Sequence, residues 1–223
     1  MSTKKTARTV VISAIALLTI LATGFLAHTF RPSGSAVRIQ VLVDTTGLRN
    51  GDLLFRNGYG AESRLVTEMS RSNYSHIAFA YRAPQGWAAV HAVPGETENP
   101  KDTDYLKVEP IEEFFQQERA RSGATARVAC SDETAQKALE YALDKVKRKF
   151  AFDHEYRLAD TTEYYCTELI YRAYLTQGID LAEERKHELP MPGTEGYFIF
   201  PSDILSSKSI KAIRELKADS INP

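Results

Sequence analysis

The run SHIAFAYRAPQGWAAVHAV, residues 75–93, constrains the fold more than any other part of the chain. Two apolar segments flank a break at APQG, and Pro94-Gly95 ends the second, which is the pattern of an antiparallel hairpin. With residues 83–86 as the loop, Arg82 faces Trp87, Ala78 faces His91 and His76 faces Val93. Side chains alternate along a strand, so His76, Ala78 and His91 share one face, while Ile77 and Phe79 face the opposite layer. The two imidazoles become diagonal neighbours roughly 7 Å apart at Cα, close enough to hydrogen bond across the small Ala78. A slip of one residue would place them on opposite faces.

Around this hairpin the pattern is mixed. VRIQVLV and NGDLLFRNG read as strands, and AESRLVTEMSRS as an amphipathic helix with Leu65, Val66 and Met69 on its apolar side. LKVEPIEEFFQQERARSG predicts a strand and then a helix starting near Pro110, and ATARVAC a further strand. SDETAQKALEYALDKVKRK is a helix capped by Ser131 or Asp132, acidic early and basic late as the helix dipole favours. FAFDHEYRLADTTEYY reads as an irregular aromatic loop, CTELIYRAYLTQG as a helix stopped by Gly178, and GYFIFPSDILSS as a last strand and turn. The fold class is α+β: a small sheet with helices packed on it, contained in residues 37–223.

Residues 1–36 are set apart from this domain. Lys4, Lys5 and Arg8 precede an apolar run over residues 10–27, with Arg31 and Pro32 beyond it. An N-terminal hydrophobic helix with a basic flank reads as an export signal or a membrane anchor, removed or retained. The domain is then expected outside the cytoplasm, in the cell envelope, either anchored to the membrane through that helix or secreted. The net charge of -1 gives no reason to expect a nucleic-acid partner. The chain has two cysteines, enough for one bridge between Cys130 and Cys166, but the surroundings of Cys130 favour a buried small residue.

Cys166 opens its helix and shares an inward face with Leu169, Ile170 and Ala173. A first-turn position predicts a lowered thiol pKa, because unpaired N–H groups and the positive end of the dipole stabilise a thiolate. Of five histidines, His28 lies in the N-terminal segment and His187 in a charged loop, which leaves His76 and His91 on the hairpin and His154 in the aromatic loop. Glu168 reads as a salt-bridge anchor, and Asp153, His154, Glu155 and Asp160 as candidates to shape a pocket. No paired ligand spacing suggests a metal, and no phosphate-binding loop or serine nucleophile elbow is present, so no cofactor is expected.

NGDLLFR, YSHIAFAY, YYCTELIYRAY and IFPSDIL, in that order over residues 50–205, resemble the permuted papain-like amidases of the NlpC superfamily, of the YaeF and YiiX type. The resemblance implies a circularly permuted papain-like fold, with the cysteine helix packed on a small antiparallel sheet. It also implies Cys166 as nucleophile and His76 as general base and acid. His91 would be the residue that orients His76, where relatives often have glutamate; Glu96 is a weaker candidate for that role. The Cys166 N–H would donate to the oxyanion, with Tyr165 or Tyr59 as a conceivable second donor. The expected activity is an extracytoplasmic thiol hydrolase that cleaves an amide through an acyl-cysteine. Substrates in view are an amide-containing small molecule, a cell-wall peptide or an acylated lipid. The alternatives are a lipid-directed acyltransferase or thioesterase, and an idle membrane-anchored binding domain.

Overall fold

The computed structural model describes residues 38–96, 103–158, 162–188 and 197–221, all within one unit spanning Arg38–Asn222. The expected N-terminal helix lies outside the described residues. Among the described residues no helix is long and apolar enough to cross a membrane.

In chain order the elements are β1 (Arg38–Leu42), β2 (Leu53–Asn57), α1 (Ala61–Ser70), β3 (His76–Ala83), β4 (Gly86–His91) and β5 (Lys107–Pro110). There follow α2 (Ile111–Phe114), β6 (Ser122–Val128), α3 (Asp132–Lys147), β7 (Ala151–Phe152), β8 (Glu163–Tyr164) and α4 (Cys166–Leu175). The chain closes with β9 (His187–Glu188), β10 (Tyr197–Phe198), α5 (Pro201–Leu205), β11 (Ile210–Glu215) and β12 (Lys217–Ile221). Six strands form one antiparallel sheet in the order β11-β6-β2-β3-β4-β5, and β1 pairs with β12 as a separate ribbon.

The hairpin has the expected register: Arg82 pairs with Trp87, and the ladder runs to Phe79 opposite Val90. The loop is shorter than expected, because Ala83 and Gly86 also pair and only Pro84 and Gln85 remain outside the strands. Gly86 takes φ +144°, a conformation open to glycine, which lets the ladder close so tightly.

The sheet has two unlike faces. Leu53, Phe55, Ile77, Phe79 and Val90 pack into the larger core together with Leu139 of α3 and Leu169, Ile170 and Tyr174 of α4. Leu54, Ala78, Ala80 and Ala89 form the other face, where small side chains admit Ile111 and Phe114 of α2, Phe115, and Val41 of the β1–β12 ribbon. Ser131 caps α3 by accepting from the Thr134 N–H at 3.1 Å.

Several expectations are corrected. The helix after Pro110 is a single turn, since Phe115 already leaves helical geometry. The aromatic loop holds two short strands, β7 and β8, paired in parallel. The tail contributes two further strands, β11 against β6 and β12 against β1, in addition to the expected one. Helix α1 forms where its periodicity places it, yet none of its residues is fully buried; Leu65 and Met69 are exposed.

The glycine of NGDLLFR has a structural reason. Gly51 sits at φ +85°, its carbonyl accepts from the Tyr174 hydroxyl at 2.8 Å, and a Cβ there would lie 2.6 Å from the Ala135 carbonyl oxygen. Gly47 has a similar φ of +74° but open space around it. Gly51→Ala is therefore expected to lose about 2 kcal/mol or more of unfolding free energy in urea, and Gly47→Ala about 1 kcal/mol, the strain part alone. Equal losses would mean that the contact with α3 is not tight.

Candidate active site

The site is built where β3 begins. Ser75 donates its backbone N–H to the Arg56 carbonyl at 3.0 Å, and its hydroxyl oxygen accepts from the Gly58 N–H at 3.0 Å. These two bonds pin the strand start to the end of β2, so His76 has a fixed origin. From there its ring reaches the alanine-lined face, and Nε2 of His76 lies 2.8 Å from Nδ1 of His91. The rings meet edge to face with centroids 5.1 Å apart, and Phe114 packs against both. His76 is 8% exposed and His91 fully buried.

Behind the pair lies a charge cluster. Nε2 of His91 is 3.0 Å from Oε1 of Glu109, at ion-pair distance although not aligned as an ideal hydrogen bond. Oε2 of Glu109 is 2.8 Å from both Lys107 Nζ and Arg119 Nη1. Those two cations also hold Glu96, at 3.0 and 3.1 Å, and Glu96 further pairs with the buried Arg56 at 2.5 Å. Arg56 donates to the Phe114 carbonyl at 2.8 Å and lies over the Phe114 ring. Each buried charge thus has an opposite charge beside it, as burial requires. Glu96, the weaker candidate for orienting His76, is committed to these cations and bonds to neither histidine.

Glu109 escaped the sequence reading. The alternation of Lys107 and Glu109 around Val108 was visible, but it is the pairing of Lys107 opposite His91 that puts both charged side chains on the histidine's face.

Burial pushes the pKa of both histidines below the ordinary value, with Arg56, His91 and Lys107 adding to the effect at His76. At His91 the Glu109 carboxylate opposes the shift without reversing it. Both rings are therefore neutral at neutral pH. Glu109, which burial alone would raise, is held well below the usual carboxylate range by His91 and Lys107.

Cys166 is the first residue of α4, preceded by two tyrosines that fix its position. The Tyr164 hydroxyl is 2.8 Å from that of Tyr141, and the buried Tyr165 stacks on Phe198 and accepts the Ile199 N–H at 3.1 Å. Tyr165 thereby ties YYC to the IFPSDIL segment and, fully buried, does not line the cavity beside the thiol, whereas Tyr59 does. Glu168, fully buried, accepts from Arg172 at 2.6 Å, the anchor its spacing suggests, and burial pushes its pKa up to about 8.

One cavity of about 580 Å³ is lined by Cys166, His76, Tyr59, Glu62, Tyr156 and other residues. Among the described residues no hydrogen bond joins the Cys166 sulfur to His76; its side-chain neighbour is the Thr167 hydroxyl at 3.6 Å. Both cysteines are free thiols. His154 and His187 lie elsewhere, next to Asp104 and Asp203, and Asp153 organises its own loop by accepting from the Glu155 and Arg157 N–H groups. Asp160 and His28 lie outside the described residues.

The model of the permuted papain-like amidase enzymes, YaeF/YiiX, C92 family, matches residues 47–189. The chain belongs to this family. The described fold agrees: the crystal structure of the metalloprotein yiiX from Escherichia coli O157:H7 superimposes with a TM-score of 0.60 at 16% identity. The match covers 78% of this chain and 98% of that one. No curated protein matches the sequence significantly. Among the described residues of this amidase-family chain, no group of three or more His, Cys, Asp or Glu side chains is placed to hold a metal ion. At His91 both ring nitrogens are already engaged.

The thiol departs from the expectation of a lowered pKa. Burial pushes Cys166 up to about 11, outweighing contacts from Thr167 and the Ile77 backbone that favour the thiolate. In a Cys130→Ser background, iodoacetamide alkylation of Cys166 followed by mass spectrometry is expected to keep rising with pH beyond about pH 9. A plateau reached below about pH 8 would show instead a preformed thiolate–imidazolium pair.

Proposed function

We propose that this protein is an extracytoplasmic cysteine hydrolase that cleaves an amide bond through an acyl-cysteine intermediate, with Cys166 as nucleophile, His76 as general base and acid, and His91 as the residue that orients His76. The observation that carries the reading is the cavity wall that Cys166 shares with His76, whose Nε2 is held 2.8 Å from His91. Family membership supports a cysteine hydrolase of papain-like type. The basic flank and apolar run of the N-terminus support export, with the segment as signal or anchor.

The chemistry starts from neutral partners. His76 takes the thiol proton as sulfur attacks the substrate carbonyl, then passes it to the leaving amine, and a water activated by the same ring hydrolyses the acyl-cysteine. The oxyanion receives the Cys166 N–H, one of the first-turn donors that have no partner within a helix. Substrates in this reading are cell-wall peptides or other small amides.

A second reading, a thioesterase or acyltransferase on acylated lipids, draws support from an apolar groove. A cavity of about 300 Å³ lined by Leu65, Met69, Phe200, Val66, Tyr156 and Phe198 adjoins the thiol cavity and shares the last three residues with it. Such a trough suits an acyl chain leading away from the sulfur.

Incubation of the full chain with cell-wall peptides and with acylated lipids, followed by mass spectrometry of Cys166, is the direct test. A mass increase matching an acyl group is expected with one class of substrate and none with Cys166→Ala. His76→Ala is expected to slow turnover by about 10²–10⁴-fold, the range for loss of a general base, and His91→Ala by less. Equal turnover in all three variants would exclude these roles. Leu65→Lys combined with Met69→Lys is expected to impair acylated lipids while sparing peptides; equal impairment of both would remove the groove from substrate binding.

A further inference from the structure

We infer that Glu109 is a positioning residue that sets the tautomers of both buried histidines, and so makes Nδ1 of His76 the basic nitrogen of the site. This deepens the acyl-transfer reading and rests on it for its chemical consequence, though not for its structural one.

The argument runs outward from the carboxylate. Glu109 is 6% exposed, and Lys107 and Arg119 both lie 2.8 Å from its Oε2, an environment that keeps it ionised. An ionised carboxylate only accepts hydrogen bonds. Its other oxygen, Oε1, lies 3.0 Å from Nε2 of His91, at ion-pair distance, and among the described residues neither atom has an aligned hydrogen-bond partner, so each faces only the other. Nε2 of His91 must therefore carry the proton. A neutral imidazole has a single N–H, so Nδ1 of His91 is bare and accepts. The 2.8 Å contact between Nδ1 of His91 and Nε2 of His76 then needs its proton from His76. With the His76 proton on Nε2, its Nδ1 is the free lone pair, and His76 is the histidine that lines the cavity with Cys166.

The reverse arrangement satisfies the inter-histidine bond equally well. With Nδ1–H of His91 donating to Nε2 of His76, however, the proton of His76 sits on Nδ1 and the ring cannot accept another there. Without a carboxylate at Glu109 nothing distinguishes the two arrangements. Glu109 breaks the tie, because the reverse one would set the bare Nε2 lone pair of His91 against a buried anion.

The step this permits is balanced. The S–H bond of Cys166 breaks and an N–H bond forms at Nδ1 of His76, while the sulfur electron pair forms the C–S bond to the carbonyl carbon. His76 becomes imidazolium and keeps its Nε2–H on His91; His91 and Glu109 keep their protonation throughout. The Nδ1 proton then leaves with the amine.

Nuclear magnetic resonance of the full chain labelled with ¹⁵N-histidine reads the tautomers directly, and His76→Gln and His91→Gln assign the signals. Both rings are expected to carry the proton on Nε2. In Glu109→Ala the reverse tautomer is expected to become populated, with the proton of His76 appearing on Nδ1 in part of the molecules. Glu109→Gln keeps the shape if the alanine variant fails to fold; it is expected to show both tautomers, since its amide either donates or accepts, and Glu109→Asp is expected to restore the wild-type pattern. A wild-type His76 protonated on Nδ1, or folded Glu109 variants with unchanged tautomers, would overturn the inference. The spectra need no substrate. Tautomers that follow Glu109 in a protein that acylates nothing would sink the acyl-transfer reading alone; acylation by a protein whose tautomers ignore Glu109 would sink this inference alone.

Discussion

The antiparallel ladder between β3 and β4 is the constraint on which the candidate site depends. Its register, Arg82 opposite Trp87 and Phe79 opposite Val90, puts Ile77 and Phe79 into the core beneath α4 and turns His76 and His91 to the opposite face. The same alternation fills that second face with Ala78, Ala80 and Ala89, whose small size admits Phe114 against both imidazoles. A larger residue at Ala78 would occupy the space through which the two rings meet. Core packing and the histidine pair are thus two outcomes of one register, and a one-residue slip would lose both.

Three cations and two carboxylates gather behind the pair, mostly out of water. Such burial is unfavourable unless every charge meets a partner. Here Glu96 and Glu109 bridge Arg56, Lys107 and Arg119, and the cations depress the basicity of His76 while the carboxylate of Glu109 supports that of His91. The cluster therefore acts on the histidines in two ways: its cations add to burial in keeping His76 neutral, and its carboxylate presents an acceptor to His91 alone.

Much of this was legible in the sequence because it follows local rules. Alternation gave the hairpin, the Ser131 cap and acidic start gave α3, and helix periodicity placed Cys166 at the head of α4. What escaped depended on partners distant in the chain. KVEP looked like a plain strand followed by a helix start, since its two charges have meaning only once His91 and Arg119 are beside them. The tail strands β11 and β12 were missed because their residues are largely exposed and carry a weak apolar pattern; they are strands because β6 and β1 offer edges to pair with. The tyrosines before Cys166 read as part of an aromatic loop, and the bond from the Ile199 N–H to the Tyr165 hydroxyl had no signal in the sequence.

The state of the thiol shows where a local rule fails by magnitude. A helix N-terminus stabilises an anion by about 0.3–1 kcal/mol, rarely about 2, and one pKa unit corresponds to about 1.4 kcal/mol, so the helix end lowers a thiol by about one unit. Burial at Cys166 exceeds that and leaves the pKa up at about 11. A protonated thiol is a poor nucleophile, so on the proposed chemistry a base must accept the proton as attack occurs. An enzyme resting as a thiolate–imidazolium pair has already made that transfer, and the tautomer of its neutral histidine matters little. Here the transfer still lies ahead, and a His76 ring with its proton on the wrong nitrogen has no lone pair to offer. The more the thiol resists ionising, the more the reaction depends on what fixes that ring, which is why a carboxylate two residues removed from the sulfur bears on its reactivity.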